Sequence, residues 1–402
     1  CFCSLLEGAG QILINQLVAW LVYGRLVDPD KEFFIERSDG QESKSAPGTA
    51  MYGGAIDDLS GDIGTAAAQR EWQSLFSLRP DKVPQKLMSL DVANKVLFVG
   101  KAVRVLIRSG RWVSSTGTAA AGLGKMTGGG AVNPDNLQKE IDALRNSFSA
   151  KSPTYVVQRA VETIRIHAST QLWELVVSEA ELVQHLTALK GFYLLGYGAF
   201  YQTFLEASRH LLSQPPQIRG NIGPEAELSQ GPWAAAMSEH KVVSDRFAFS
   251  SALAWGGATP SSAVGGAAKN TSLEKILASR FAIHFPITGL KGREMEASLW
   301  FKHLELSYDI PWPLPLVLTQ HSIERYNRLF RLLLGYRHAY QELHYMTLPK
   351  AKPFAWALRA QLSYFTSQVL LYFQQDVIEV AFQRLLDAIE VSKEFDEVVV
   401  AH

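Results

Sequence analysis

A glycine-rich run, GLGKMTGGG at residues 122–130, is the part of the chain whose composition could bind a nucleotide. A phosphate-binding loop needs a glycine five residues before its Gly-Lys pair and a Ser or Thr directly after the Lys, because backbone amides and that hydroxyl hold the phosphates and Mg²⁺. Here Ala119 takes the glycine position and Met126 follows Lys125. The composition favours a flexible linker, and an enzyme that binds a nucleotide here is the alternative.

The residues that could bind a metal or transfer a proton do not form a recognisable constellation. His303 and Glu305 flank a single residue, but the sequence has no HExxH pair that would hold zinc at helical spacing. The acidic residues between 57 and 62 lack the ligand spacing of a calcium loop, and no Gly-x-Ser-x-Gly elbow is present. Three further histidines lie about one per predicted helix: His167, His185 and His210. We therefore expect no catalytic residue, no cofactor and no bound metal.

Arg337 is a charged residue in an unexpected position. It lies on the apolar side of a predicted helix, where an unpaired charge is costly, so it should either pair with a carboxylate or reach an interface. Asp376 and Glu379 are the carboxylates expected to meet it in an internal ion pair. The sequence leaves both outcomes open.

The helix that carries Arg337 follows a proline-rich segment, LELSYDIPWPLPL at residues 304–316. Because proline donates no backbone hydrogen bond and holds its neighbours extended, residues 306–315 should form a turn or an edge segment. The helix should begin near Ser322 and run to about residue 346. At 100° per residue, the side expected to be core carries Tyr326, Leu329, Phe330, Leu333, Arg337 and Tyr340.

The other side of this helix is a candidate contact surface. It carries Glu324, Arg328, Arg331, His338 and Glu342, and Tyr336 lies at its border. The alternative is that these polar side chains are only solvated, as on most amphipathic helices.

The composition indicates a folded protein with no overall charge to attract a partner. The chain has 402 residues, 47% of them hydrophobic, with 39 basic and 39 acidic residues. No field therefore draws it to nucleic acid or to an anionic membrane. No apolar run is long enough to span a bilayer, so no membrane insertion is expected. The two cysteines, Cys1 and Cys3, favour a reducing, intracellular setting.

Helical periodicity recurs over most of the chain. Predicted helices span residues 11–23, 91–107, 135–148, 153–169, 171–190, 322–346 and 354–391, and residues 191–212 should begin with a glycine-punctuated turn and continue as a helix. In the helix at 91–107, apolar residues recur at three- and four-residue steps: Val92, Val96, Val99 and Val103. Segments rich in Gly, Ser, Thr and Ala predict flexible loops at 37–70, 109–134 and 256–272. Because strands and helices do not alternate regularly, the fold class should be all-α, built of successive helical bundles. The last helix should carry a broad apolar side that includes Leu358, Leu362, Phe365, Val369, Leu370, Ile378, Ala381, Leu385 and Ile389.

Several segments resemble the gamma-tubulin complex protein family. They are QLVAWLVYGRLVDPDKEFFI at 16–35, VANKVLFVGKAV at 92–103, GFYLLGYGAFYQTFLEASRHLL at 191–212, LELSYDIPWPL at 304–314, QLSYFTSQVLLYFQQDVIEVAFQRLL at 361–386 and the closing FDEVVVAH. These segments follow the family's order from about residue 10 to residue 402.

The resemblance implies an elongated all-α array of helical bundles in two halves. Residues 1–189 would pack laterally against sister gamma-tubulin complex proteins, and residues 190–402 would bind gamma-tubulin. The chain would be a non-catalytic subunit of the gamma-tubulin ring complex. That complex templates microtubule nucleation at centrosomes and spindle poles, so the expected location is the cytoskeleton at a microtubule-organising centre in the cytoplasm.

The resemblance, together with the candidate contact surface, places the gamma-tubulin contact at Arg328, Arg331, Tyr336 and His338. Gamma-tubulin, rather than this chain, would carry the nucleotide. Both ends of the chain look cut, so we expect a fragment whose C-terminal half is truncated at its end. The alternative function is a helical-bundle adaptor or tether that does not bind gamma-tubulin.

Overall fold

Helices make up most of the computed structural model, so the predicted all-α class is confirmed. The structure describes residues 2–38, 71–85, 87–112, 137–147, 153–216, 224–240, 278–285, 299–347 and 353–402. Most of the predicted loops 37–70 and 109–134, and all of 256–272, lie outside these residues. The chain forms two compact units: unit 1 is Cys1–Ala180 with Ala388–His402, and unit 2 is Glu181–Asp387.

The elements are as follows in chain order. Unit 1 contains α1 (Phe2–Tyr23), β1 (Ile35–Arg37), β2 (Phe76–Leu78), α2 (Leu90–Arg108), α3 (Gln138–Arg145) and α4 (Pro153–Trp173). Unit 2 contains α5 (Leu182–Tyr193), α6 (Gly198–Leu212), α7 (Pro224–Leu228), α8 (234–240), β3 (Phe281–His284), α9 (Leu299–His303), β4 (Glu305–Tyr308), α10 (Gln320–Tyr345) and α11 (Pro353–Tyr372). The last helices are α12 (Val380–Val391), whose residues from Ala388 belong to unit 1, and α13 (Phe395–Ala401). Wide π-helical turns occupy Glu71–Leu75, Glu174–Glu179, Ser229–Trp233 and Phe373–Glu379, and 3₁₀ turns occupy Pro80–Lys82 and Leu314–Leu316.

The core of unit 1 forms where α1 crosses α2. The hydroxyl of Ser89 accepts a hydrogen bond from the backbone amide of Val92 and caps the start of α2. The predicted apolar periodicity of α2 is confirmed by the burial of its valines: Val92, Val96, Val99 and Val103 are each at most 3% exposed. Trp20 of α1 is fully buried, and its Nε1 donates to the carbonyl of Val96 at 2.9 Å. A hydrogen-bonded indole therefore joins the two helices.

Gly100 makes this close crossing possible. A Cβ atom at residue 100 would lie 1.9 Å from the ring of Trp20, and the ring has no open space into which it could move because the side chain is fully buried. Only glycine lets the α2 backbone approach the indole this closely.

The substitution Gly100→Ala should therefore lower the free energy of unfolding by about 2–3 kcal/mol, through overpacking against Trp20. Gly8→Ala is the matched control, because Gly8 lies exposed in α1 with no atom within 4 Å of an added Cβ. The control should be neutral or stabilising by up to about 1 kcal/mol, since alanine favours a helix over glycine. Urea denaturation measures both variants; equal effects at the two positions would contradict the packing argument.

The end of the chain packs into unit 1 through one arginine and one aromatic ring. Arg165 of α4 contacts Glu394 at 2.9 Å and Asp396 at 3.2 Å. Phe395, only 2% exposed, has its ring 6.0 Å from that of Trp72, and its backbone amide donates to Ser169. Burial raises the pKa of Asp396, and Arg165 opposes that shift. Residues 394–396 are thus an ordered part of unit 1.

One predicted helix contains a break that the sequence did not indicate. The predicted helix 171–190 is interrupted, since α4 ends at Trp173, a π-helical turn follows, and α5 begins at Leu182. Glu181 adopts a left-handed backbone with φ 52°. The sequence carries no Gly, Pro or Asn at this break, so the periodic pattern alone could not locate it.

Candidate functional site

The candidate site is helix α10, which is positioned by the strand pair before it. β4 pairs with β3 in antiparallel register, with Leu306 opposite Ile283. The predicted turn or edge segment at 306–315 is therefore part strand and part turn, because residues 306–308 lie in β4 and the prolines follow. Residues Leu314, Leu316, Val317 and Leu318 are at most 3% exposed and hold the approach to α10 in the core of unit 2.

Helix α10 starts at Gln320, two residues before the predicted Ser322. Thr319 supplies the cap, because its hydroxyl accepts from the backbone amide of Ser322 at 3.2 Å. The buried residues of the helix are Ile323, Asn327, Phe330, Leu333 and Leu334.

Asn327 sets which side of α10 is buried. Its Oδ1 accepts from the backbone amide of Leu306 at 2.8 Å, and its Nδ2 donates to the carbonyl of the same residue at 3.0 Å. The buried stripe is consequently rotated toward Asn327, and Leu329, which the helical wheel placed in the core, is 45% exposed. The prediction for Leu329 was wrong because a wheel ranks side chains by apolarity and cannot anticipate a buried amide with a backbone partner.

The four residues expected to contact gamma-tubulin are not equally accessible. Arg328 is exposed and makes no ion pair with any residue that the structure describes. Arg331 is partly buried and pairs with Glu305 at 3.0 Å. The ring of Tyr336 lies 6.5 Å from that of Phe373. The structure therefore leaves Arg328 unengaged and ties Arg331 to β4.

His338, the fourth expected contact, packs inward. Its ring lies 4.6 Å from that of Phe301 in α9. Burial lowers the pKa of His338, while Glu342 acts in the opposite direction. His338 thus contributes a partly buried ring at the margin of the outer face of α10.

Arg337 does not form the ion pair expected with Asp376 or Glu379. Its Nη2 donates instead to the backbone carbonyl of Gly198 at 3.0 Å, and Glu379 pairs with Lys190 at 2.5 Å. Burial lowers the pKa of Arg337. The expected pair was wrong because the partner is a main-chain oxygen, which no pattern of side chains reveals.

A buried histidine lies beneath the strand pair, and the sequence suggested nothing unusual about it. His185 of α5 is 8% exposed, and its Nδ1 is hydrogen-bonded to the hydroxyl of Tyr308. Burial, reinforced by the positive charge of Arg280, lowers the pKa of His185 to about 4. The ring therefore stays neutral at physiological pH and supports β4 from the side of α5.

We expect unit 2 to lose stability in mild acid because of His185. Its pKa is about 4 when folded and 6.5 for the unperturbed group, so the unfolded state binds the proton more readily between these values. The contribution is intact above pH 6.5 and is lost as the pH falls toward 4, by about 2 kcal/mol at pH 5. Urea denaturation at pH 7.5 and pH 5 should show that His185→Asn flattens this dependence. The matched control, His210→Asn on an exposed histidine of α6, should keep the wild-type slope, and a wild-type slope in His185→Asn would contradict the assignment.

The hydrogen bonds of Asn327 should be essential to the placement of α10. Asn327→Leu keeps the number and branching of the side-chain heavy atoms but leaves the backbone amide of Leu306 without its partner, so the free energy of unfolding should fall by about 2–3 kcal/mol. Arg328→Ala, one residue further along the same helix and exposed, is the control and should change it by less than about 0.5 kcal/mol. Thermal denaturation measures both. A neutral Asn327→Leu would show that packing alone orients the helix.

Helix α11 presents much of its predicted apolar side to solvent. The apolar side predicted for residues 354–391 is largely exposed in this helix: Leu358 and Leu362 are each 44% exposed and Phe365 is 58% exposed. Thr366 is the only buried residue of α11. Arg359 is the only charged residue in Pro353–Tyr372, and its Nε donates to the carbonyl of Leu343. So many exposed apolar side chains on a helix with a single charged residue are typical of a surface that contacts another protein segment.

The described residues offer no metal-binding group of three His, Cys, Asp or Glu side chains. Among the helices that the structure describes, none is both long and apolar enough to cross a bilayer. The features that distinguish the site are therefore exposed apolar and basic side chains on α10 and α11.

The amino-acid sequence matches a known family over both units. It matches gamma tubulin complex component N-terminal over residues 1–179 and gamma tubulin complex component C-terminal over residues 182–402. A similar protein is gamma-tubulin complex component 4 from Mus musculus, 26% identical over 435 residues, which cover 97% of this chain and 57% of that protein. The component 4 homolog from Medicago truncatula is 28% identical over 458 residues, which cover 100% of this chain and 60% of that protein.

A more distant similarity is to spindle pole body component alp4 from Schizosaccharomyces pombe. The identity is 23% over 437 residues, which cover 99% of this chain and 51% of that protein. The chain thus spans between half and three-fifths of the length of these three relatives.

Proposed function

Because this chain belongs to the gamma-tubulin complex component family, we propose that it is a non-catalytic structural subunit that binds gamma-tubulin and helps to template microtubule nucleation. The exposed apolar side of α11 carries this proposal, since such a surface suits binding to a protein rather than chemistry on a small molecule. It lies within the part that matches the family's C-terminal model.

We assign the two roles of such a subunit to the two halves of the chain. Residues 1–189 would contact sister gamma-tubulin complex proteins laterally, and residues 190–402 would bind gamma-tubulin. The matches to the N-terminal and C-terminal family models, which meet between residues 179 and 182, support a division close to this boundary. The names of the relatives support a location at the spindle pole or another microtubule-organising centre.

Gamma-tubulin is assigned to the outer face of α10 together with α11. Arg328 is the residue most exposed to a partner among the four expected contacts, while Arg331, Tyr336 and His338 would border the contact. Helices α10 and α11 pack against each other, and directly after α11 the ring of Phe373 lies 6.5 Å from that of Tyr336. One partner surface could therefore cover exposed side chains of both helices.

Such a subunit needs no bond chemistry to promote nucleation. Subunits that hold several gamma-tubulin molecules side by side raise their effective concentration, so these molecules do not have to meet by diffusion before a microtubule starts. The physical requirement is a rigid binding surface. The buried aromatic and hydrogen-bonded contacts beneath α10 provide that rigidity.

Binding of purified gamma-tubulin to the 402-residue chain tests this function. The wild-type chain should bind gamma-tubulin. Phe365→Asp should raise the dissociation constant by about tenfold or more, because it places a charge in the centre of an apolar contact. Gln383→Asp on α12, also an exposed position with an added negative charge, is the matched control and should bind like wild type. Surface plasmon resonance measures the affinity. A correctly folded chain that does not bind gamma-tubulin would favour the adaptor or tether instead.

A further inference from the structure

The outward side of α10 carries a short stripe of two arginines and two leucines, which we call the α10 stripe: Arg325, Arg328, Leu329 and Leu332. All four side chains are exposed, and the two leucines are each 45% exposed. The spacing of three, four and seven residues places them together opposite the buried Asn327 and Phe330. These four residues are exposed together because the burial of Asn327 fixes the rotation of α10.

The two arginines of the stripe have no ionic partner among the described residues. Neither Arg325 nor Arg328 makes an ion pair or a side-chain hydrogen bond there. The nearest carboxylate in sequence, Glu324, lies 3.9 Å from His321 instead. Two other arginines of unit 2 are engaged, since Arg331 pairs with Glu305 and Arg209 with Glu342. Two neighbouring guanidinium groups are therefore available to an acidic partner.

The leucines give this basic surface an apolar centre. Guanidinium groups bind carboxylates in a planar geometry, and the surrounding apolar contact excludes the water that would otherwise screen the charges. Gly335 follows one turn after the stripe, and a Cβ added there would meet no atom within 4 Å. The surface beyond Leu332 is therefore open to close approach by a partner.

We propose that the α10 stripe determines the specificity of the gamma-tubulin contact by docking an acidic surface with an apolar centre on that partner. This inference rests on the proposed function. The arginines select carboxylates spaced about one helical turn apart, and Leu329 and Leu332 pack between them. Charge complementarity identifies the partner surface, because the stripe carries two arginines that make no ion pair with any described residue. The exposed Glu324, which lies 3.9 Å from His321, borders the stripe.

The test is the double charge reversal Arg325→Glu with Arg328→Glu, measured for binding of purified gamma-tubulin by the 402-residue chain. We expect the dissociation constant to rise about 30-fold or more. Wild-type affinity should fall between 50 and 300 mM salt, as expected for charge-assisted docking, whereas the reversed variant should lose that dependence. Circular dichroism spectra and melting temperatures that match those of the wild type show that the double variant is folded.

A matched control removes the effect of net charge. Arg384→Glu with Lys393→Glu makes the same change of charge at two exposed positions outside the stripe and should bind like wild type. Leu329→Ala with Leu332→Ala should weaken binding about tenfold while leaving the salt dependence intact, because it removes only apolar contact.

The outcomes separate this inference from the function on which it rests. A folded wild-type chain that does not bind gamma-tubulin overturns both. Wild-type binding that is unchanged by reversal of Arg325 and Arg328, or weakened equally by the control pair, overturns the inference and leaves the proposed function standing. Loss of gamma-tubulin binding in the Arg325 and Arg328 variant, with normal binding by the control pair, supports the inference.

Discussion

The hydrogen bonds between the Asn327 side chain and the backbone of Leu306 are the constraint on which the rest of unit 2 depends. A buried amide must satisfy both its donor and its acceptor, and here a single residue of β4 supplies both partners. Tyr193 donates to the same Leu306 carbonyl at 2.8 Å, so α5 is tied to the strand as well. With that strand as the common support, the rotation of α10 about its axis is determined.

The rotation of α10 then distributes its charged residues. Arg331 faces Glu305, and Arg337 reaches the carbonyl of Gly198 at the start of α6. Both arginine side chains thus stabilise the packing of unit 2. Arg325 and Arg328 point away from these partners and remain in water. The same physical requirement, satisfaction of one buried amide, therefore both builds the core and selects which arginines a partner can meet.

Helix α11 follows a different rule from α10. Its rings and aliphatic side chains are exposed on several sides, with Phe354 at 79% and Tyr364 at 68%. Most of its exposed surface has no charge to keep it hydrated, so covering it would release water from a large apolar area. A basic, partly apolar α10 beside an apolar α11 is a surface suited to holding another protein, in agreement with the structural role we propose for this family member.

The sequence by itself determined the helical class, the burial of Val92, Val96, Val99 and Val103, and the family, because periodicity and local motifs are properties of neighbouring residues. It did not determine that Leu329 faces solvent, that Glu181 breaks a helix, or that Arg337 binds a carbonyl. The first and the last of these outcomes depend on Leu306 and Gly198, which lie 21 residues from Asn327 and 139 residues from Arg337. The tertiary structure decided the candidate site, since hydrogen bonds to distant backbone groups, not side-chain apolarity, set which face of α10 is exposed.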